Sequence, residues 1–383
     1  LIADSDPPDR KGGENTNPHS GCRQNIIVML FLSSQESAEW SGHAEEVLRS
    51  GTAPGTYDGD IRPNLLSAFD YYIGTVLAAR GRAAEGIEWL SAAALGEEND
   101  LFSAGFLLGF LERHNGRLAM PSVAFADPRP FMHFAGVPMM REARKRFIAQ
   151  CGTTLPQFDE PLSMMDIGCG DGGLTVSLLR HLLETGRVAG IGEVLLIDSS
   201  PAMVALAEKT VRDAFPDVRI ETVNSRIQDC SGSLDHRFDL AVSSLAYHHM
   251  PLEQKKIHLA RLKPWIDHFI LFEIDANNDA PEVYSPELAL SVYQSYGSIV
   301  DAVFSHDAPV DVAIACVDLF LMAEVISLLT QPRGVRSDYH MLQSQWHALF
   351  TECLGPEFAP GCHSPCYADE HTTLFTMHYG REA

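Results

Sequence analysis

From residue 161 onward short apolar runs alternate with amphipathic stretches, and a run of glycines sits at the first joint. Met164-Met165-Asp166-Ile167 reads as a strand, and residues 174–183 have the apolar spacing of a helix. Residues 194–197 form a second apolar run. The helix predicted for Pro201–Ala214 follows Ser199 and Ser200, either of which can cap it, and carries Pro201 in its first turn. Residues 218–223, 238–243 and 269–273 read as further strands, with a helix over Leu252–Leu262. Strands that alternate with helices must run parallel, because each crossover packs a helix on a sheet face. The expected fold is therefore α/β, with a doubly wound sheet.

The joint itself reads Asp166-Ile-Gly168-Cys-Gly170-Asp-Gly172-Gly173. Glycines there allow a sharp turn and a close approach of backbone to ligand. Asp198, at the end of the second strand, can accept two hydrogen bonds from ribose hydroxyls. Dinucleotide sites space their glycines as G-x-G-x-x-G and leave the helix N-terminus open to pyrophosphate. Here the spacing is G-x-G-x-G, and Asp166 and Asp171 flank it. Negative charge at that point repels pyrophosphate and suits a cationic ligand.

On these residues the segment over roughly 161–275 resembles the class I S-adenosylmethionine-dependent methyltransferases. The resemblance implies a Rossmann-like methyltransferase sheet and S-adenosylmethionine (SAM) as cofactor. It places the amino-acid part of SAM on Asp166, Gly168, Gly170 and Gly172, the ribose on Asp198, and the adenine beside Ser199 and Met203. Many members carry an Asp after the third strand. Here Asn224-Ser225-Arg226-Ile227 stands there and Asp229 comes later, so Arg226 and Ile227 are the expected contacts, with Ser243 at the end of the fourth strand.

The fourth strand opens into Ser244-Leu-Ala-Tyr247-His248-His249. Loops at the carboxyl ends of such strands hold the ligand, so the two histidines are expected to face the transferred methyl group. One can serve as a general base, or they can ligate a metal. Between Lys263 and Arg333 there is no Lys or Arg over residues 264–332, while eleven acids fall there, among them Glu273, Asp275, Asp301, Asp307 and Glu324. Helical patterns over residues 286–303 and 310–329 make this an insertion after strand five, predicted over residues 277–340 and expected to act as an acidic substrate lid. His248, His249, Glu273 and His306 are the candidate metal ligands, and Tyr247, Asp275, Asp301, Asp307 and His340 the candidate substrate contacts.

This constellation is similar to a narrower group, the metal-dependent α-keto acid C-methyltransferases of amino-acid and antibiotic biosynthesis. That resemblance implies a helical N-terminal region that dimerises and a metal ion, zinc or iron, bound by residues matching His248 and His306-Asp307. It also implies methyl transfer to C3 of a 2-oxo acid through a metal-chelated enolate. The acidic lid points to a cationic tail, such as the guanidino 2-oxo acid of arginine. The residues leave two alternatives open: a metal-free O- or N-methyltransferase with a His base, and a non-enzymatic cofactor-binding scaffold.

Residues 39–155 are read as a helical N-terminal region and residues 156–383 as the methyltransferase domain with its lid. Residues 1–38 are read as a disordered segment, on the Pro, Gly, Asn, Asp and Ser of the first 25. The formal net charge is −23, from 28 Lys plus Arg against 51 Asp plus Glu. That excludes a nucleic-acid partner, since phosphate affinity comes from Lys and Arg. No early apolar run approaches the ~20 residues of a membrane span. The eight cysteines show no disulfide framework, and Cys362 and Cys366 are read as part of a loop before the last strand. A small-molecule substrate, a homodimer and a cytoplasmic location are the resulting expectations.

Overall fold

The computed structural model describes residues 30–382 apart from 98–100, 122–126, 231 and 233. The expectation of disorder over residues 1–29 thus lies outside the described residues. Helix α1 (Ser34–Ser50) begins inside the segment read as disordered. Its start is fixed by a capping box, in which Ser33 Oγ accepts from the Glu36 N–H while Glu36 Oε2 accepts from the Ser33 N–H.

Helices α2 (Leu66–Ala79), α3 (Ala83–Leu95), α4 (Ala104–Arg113), α5 (Pro128–Gly136) and α6 (Pro138–Thr154) follow. The doubly wound unit then runs β1 (Leu162–Ile167), α7 (Gly173–Glu184), β2 (Ile191–Asp198), α8 (Pro201–Ala214), β3 (Arg219–Asn224), the short α9 (Ile227–Cys230), β4 (Phe238–Ser244), α10 (Leu252–Leu262) and β5 (Ile266–Ile274). After it come α11 (Pro286–Ser305), α12 (Val310–Cys316), α13 (Met322–Thr330) and α14 (Gln343–Leu354), then β6 (Phe358–Ala368) and β7 (Thr373–Arg381).

The seven strands lie in the order β3-β2-β1-β4-β5-β7-β6, with β1 to β5 parallel and β7 antiparallel to β5. The side-chain period of two divides the core. Met164, Leu196, Leu240 and Ile270 face α6, α7 and α8, while Met165, Leu195, Ala241 and Phe269 face α10 and α14. Strand order reverses between β1 and β4. The loops leaving those two strands diverge there and open a crevice at the carboxyl edge.

Cys362 and Cys366 belong to edge strand β6 rather than to a loop. Pro360 and Pro365 sit at its two register irregularities, where a missing N–H costs no ladder bond, and they disguise the strand in sequence. Six cysteines are free among the described residues.

The N-terminal helices and the insertion share one core and lie together over the carboxyl edge. Tyr71 of α2 meets Tyr293 of α11 at 5.2 Å, and Phe106 of α4 meets Phe304 at 5.6 Å. Phe134 of α5 meets Phe320 at 5.2 Å, and Phe147 of α6 lies on the sheet against Phe272 at 5.2 Å. α12 and α13 are joined by a π-turn, Val317–Leu321. The resulting run Val310–Thr330 is long and apolar enough to cross a membrane by composition, which the sequence reading missed. In the fold 61% of its most apolar window is buried inside the protein, and a core helix covered on several sides needs the same composition.

One acid in α2 has no compensation. Asp70 is buried, its Oδ1 has no hydrogen-bond partner, and burial raises its carboxyl to about 7, with Asp58 adding to the rise. A raised carboxyl favours the fold below the ordinary carboxylate range and loses that contribution as pH climbs toward 7. Asp70→Asn is therefore expected to stabilise the protein at pH 8 by roughly 1–3 kcal/mol, the cost of an unsatisfied buried polar group. The gain should fade below about pH 4, which thermal melts at the two pH values will read.

Candidate active site

The crevice between the β1 and β4 loops holds a cavity of about 470 Å³, closed above by α5, α11 and the π-turn. Its floor is the glycine loop. The Gly168 and Cys169 N–H groups donate to Ile197 O, which folds the loop back over β2. Gly168 has φ +77°, and a Cβ there would stand 2.3 Å from Ala246 Cβ. Gly170 has φ +53°, and a Cβ there would stand 2.8 Å from Phe131 Cζ. Both positions need glycine for conformation and for space.

Asp198 lies at the end of β2. Its Oδ2 accepts from the Gly170 N–H at 3.1 Å and its Oδ1 from the Ser200 N–H at 2.8 Å. Burial raises this carboxyl, and those two N–H groups oppose the rise. Asp166 is bound by the Thr175 hydroxyl, and burial brings it to about 6. Gly168, Gly170, Ser199, Met203, Arg226 and Ile227 also line the cavity. Gly172 and Ser243 do not. Gly172 caps α7 against Ala207, and Ser243 Oγ bonds Ile167 O inside the sheet. Arg144 of α6, unmarked in sequence, lines the cofactor end beside Asp166 and Asp171, and its Nε has no partner.

The other end of the cavity is a cluster of histidines and carboxylates. His248 Nδ1 lies 2.9 Å from Glu273 Oε2, while Glu273 Oε1 accepts from the Tyr247 and His248 N–H groups. Glu273 is thus engaged behind His248 and orients it, instead of facing the cavity as a ligand. That leaves His248 Nε2 open, 3.7 Å from Asp338 Oδ1. His340 stacks on His248 with ring centres 4.0 Å apart. Tyr296 OH donates to Glu324 Oε2 at 2.6 Å and lies 3.4 Å from His340 Nε2. His249 Nδ1 lies 2.9 Å from Asp338 Oδ1. Burial holds His248 and His340 well below the usual imidazole range and lifts Glu324 to about 8.

Two overlapping triads have ligand atoms within 4.8 Å of one another: His248, Glu324 and His340, and His248, His249 and Asp338. One further atom in the cluster, His340 Nδ1, is buried without a hydrogen bond. The donor set fits a divalent transition metal. The segment that brings Asp338 and His340 is irregular and laced in place. Tyr339 N–H donates to His248 O at 2.7 Å, Lys255 Nζ donates to Tyr339 O at 2.6 Å, and the Asn278 and Asp279 N–H groups donate to His340 O.

His306 is not brought to this cluster. It stacks on His133 at 5.1 Å, beyond the end of α11. Tyr296 and Ile299 are the α11 residues at the cavity, and His306 lies seven residues beyond Ile299, about 10 Å along the axis. Of the other expected substrate contacts, His340 lines the cavity. Tyr247 instead points into the opposite core, where its hydroxyl meets His258. Asp275 accepts from the Gln343 N–H, Asp301 lies beside Ser305, and Asp307 is exposed. Among the eleven acids of the Lys/Arg-free stretch, Glu324 lines the cavity and Glu273 stands behind His248. Others are neutralised from outside it, Asp318 by Arg113, Asp279 by Arg333 and Asp267 by Arg237. The lid does not present an acidic wall.

The strand order, the glycine loop and the strand-end acid are those expected of a class I SAM-dependent methyltransferase domain. Comparison agrees: residues 164–266 match the family model described as a methyltransferase domain. Over 92 residues the chain is 32% identical to the probable S-adenosylmethionine-dependent methyltransferase CRG1 of Saccharomyces cerevisiae. That match spans 24% of this chain and 28% of the yeast protein, well under two thirds of its length. In fold, the chain is similar to the crystal structure of SCL7 from Oryza sativa, with a TM-score of 0.53, 14% identity, and coverage of 81% of this chain and 99% of that one. The magnesium protoporphyrin IX methyltransferase of Synechocystis PCC 6803, solved with bound SAM, gives a TM-score of 0.38 at 12% identity, covering 68% of this chain and 100% of the other.

Proposed function

We propose that the protein transfers the methyl group of SAM to C3 of a 2-oxo acid, with a divalent metal ion held at the His248 cluster. The observation that supports this reading most is the buried triad of His248, Glu324 and His340 at the far end of the cofactor cavity. Two imidazoles and a carboxylate are a common catalytic donor set, and Glu273 stands where a carboxylate orients a ligating imidazole. Such an ion would act as a Lewis acid toward the acceptor's oxygens.

The remaining work falls to side chains. Asp198 holds the ribose hydroxyls of the donor from its fixed position over the Gly170 and Ser200 N–H groups. Arg144 offers its guanidinium to the donor's carboxylate at the opposite end of the same loop. His249 has its Nδ1 on Asp338 and Ser337 O; burial lowers its imidazole but that carboxylate raises it, to about 9, so it accepts the C3 proton on Nε2 in its neutral form, at alkaline pH. The cap excludes water while donor and acceptor are held in line.

The test is metal removal. Elemental analysis of purified protein should find about one zinc or iron per chain, and chelation should cut turnover of 2-oxo acids by at least about a hundredfold, restored on adding the ion back. Undiminished turnover in metal-free protein would replace this reading with a metal-free O- or N-methyl transfer that uses His249 as its base. The pairing of His249 with Asp338 would then carry that second reading.

A further inference from the structure

We infer that the acceptor carries an apolar, ring-sized side chain seated against Phe320, Phe131 and Phe134, and that Phe320 sets this selectivity; the inference deepens the 2-oxo acid reading and rests on it for the head group. The seat is built from separate elements. Phe131 and Phe134 come from α5 and Phe320 from the π-turn, and all three line the cavity. The Phe320 ring meets Phe134 at 5.2 Å and 71° and Phe131 at 6.3 Å and 69°, the edge-to-face arrangement that aromatic rings prefer. Ile274 and Ile299 extend the same wall.

Leu245 completes it under backbone strain. It has φ +51°, a region costly for a branched side chain, and its N–H is pinned to Phe272 O at 2.8 Å. A turn that needed only the conformation would take Gly or Asn. Leu at this position gives the cavity an apolar lining residue that also packs on the core, beside the point where β4 opens toward His248.

The carboxylates of the cavity are already engaged, Asp171 by the Gly173 N–H among them. Glu324 takes the Tyr296 hydroxyl, and Arg336 gives N–H groups to the carbonyls of Gln331, Asn278 and Pro281. Arg226 pairs with Asp229, while Asp166 and Asp198 are bound at the cofactor end. A cationic tail entering this end finds no uncommitted carboxylate, and burying it unpaired is costly. The geometry therefore reverses the guanidino tail expected from the acidic stretch.

The experiment is calorimetric titration of the protein loaded with S-adenosylhomocysteine (SAH). Two probes share the 2-oxo acid head, 3-phenylpyruvate and 5-guanidino-2-oxopentanoate. The phenyl probe is expected to bind at least about tenfold tighter, and Phe320→Ser to remove at least about tenfold of that affinity. Phe320→Leu should remove less, and an unchanged affinity for SAH reports that each variant is folded. Equal or tighter binding of the guanidino probe, no binding of either, or an unchanged phenyl affinity in folded Phe320→Ser overturns the inference. Methyl transfer is scored separately: a phenyl preference without turnover keeps the seat and removes the 2-oxo acid reaction, and turnover of both probes alike does the reverse.

Discussion

Gly168→Val is expected to abolish SAM binding. The residue has φ +77°, where a β-branched side chain is a severe outlier, and its Cβ would stand 2.3 Å from the Cβ of Ala246. Ala246 cannot retreat freely, because the β4 loop leads straight into His248, whose N–H is fixed on Glu273. The loop must shift instead, and it carries the Gly170 N–H that positions Asp198. Strain of ~1–2 kcal/mol for the left-handed conformation adds to the collision. Titration with SAH should detect no binding, in a protein whose circular dichroism stays α/β. Asp198→Asn loses the charge and, because an amide has one acceptor oxygen, one of the two N–H contacts from Gly170 and Ser200. It should weaken SAH about ten- to hundredfold, the range for a charge-assisted hydrogen bond. Wild-type affinity in either variant would move the donor out of this crevice.

The second large effect is expected at His248. His248→Ala should abolish metal retention and lower turnover by about a thousandfold or more, the scale of losing transition-state charge stabilisation. It should also destabilise the protein, since Glu273 is fully buried and loses the imidazole on its Oε2. Burial keeps His248 neutral, so what is lost is one hydrogen bond on a buried carboxyl, about 1–3 kcal/mol. Glu273→Gln separates the two effects. The amide keeps the volume and the two backbone contacts on Oε1, but its NH2 cannot accept from His248 Nδ1, and loss of an orienting group behind a ligand costs about 10- to 100-fold in metal affinity. Metal content by elemental analysis, kcat and melting temperature, measured on both variants, should rank His248→Ala far below Glu273→Gln in metal and in rate.

The half of the cavity proposed for the donor is legible in sequence because it is local. The Asp166–Gly173 loop and Asp198 stand at the ends of adjacent strands, and the strand–turn–helix pattern alone places them side by side. The acceptor half is assembled from distant elements. Asp338 and His340 sit on irregular backbone that Lys255 of α10 and two N–H groups near Asn278 hold in position. Nothing periodic marks that segment, and the Asp-x-His spacing was its one available signal. Glu324 reaches the cavity through a helix whose register passes a π-turn, and Tyr296 is the midpoint of a helix whose end, His306, drew attention instead. The charge pattern misled for a related reason. A stretch without Lys or Arg says nothing about cations supplied from elsewhere, and Arg113, Arg237 and Arg333 supply them.

The most direct test of the central claim is to incubate metal-loaded protein with SAM carrying a labelled methyl group and 3-phenylpyruvate, and to locate the label by mass spectrometry and NMR. The account predicts one labelled methyl at C3 of the 2-oxo acid, with SAH formed in equal amount and both products lost in His248→Ala. SAM bound tightly in the crevice, with neither SAH nor labelled product formed from any 2-oxo acid in the presence or absence of metal, would contradict it.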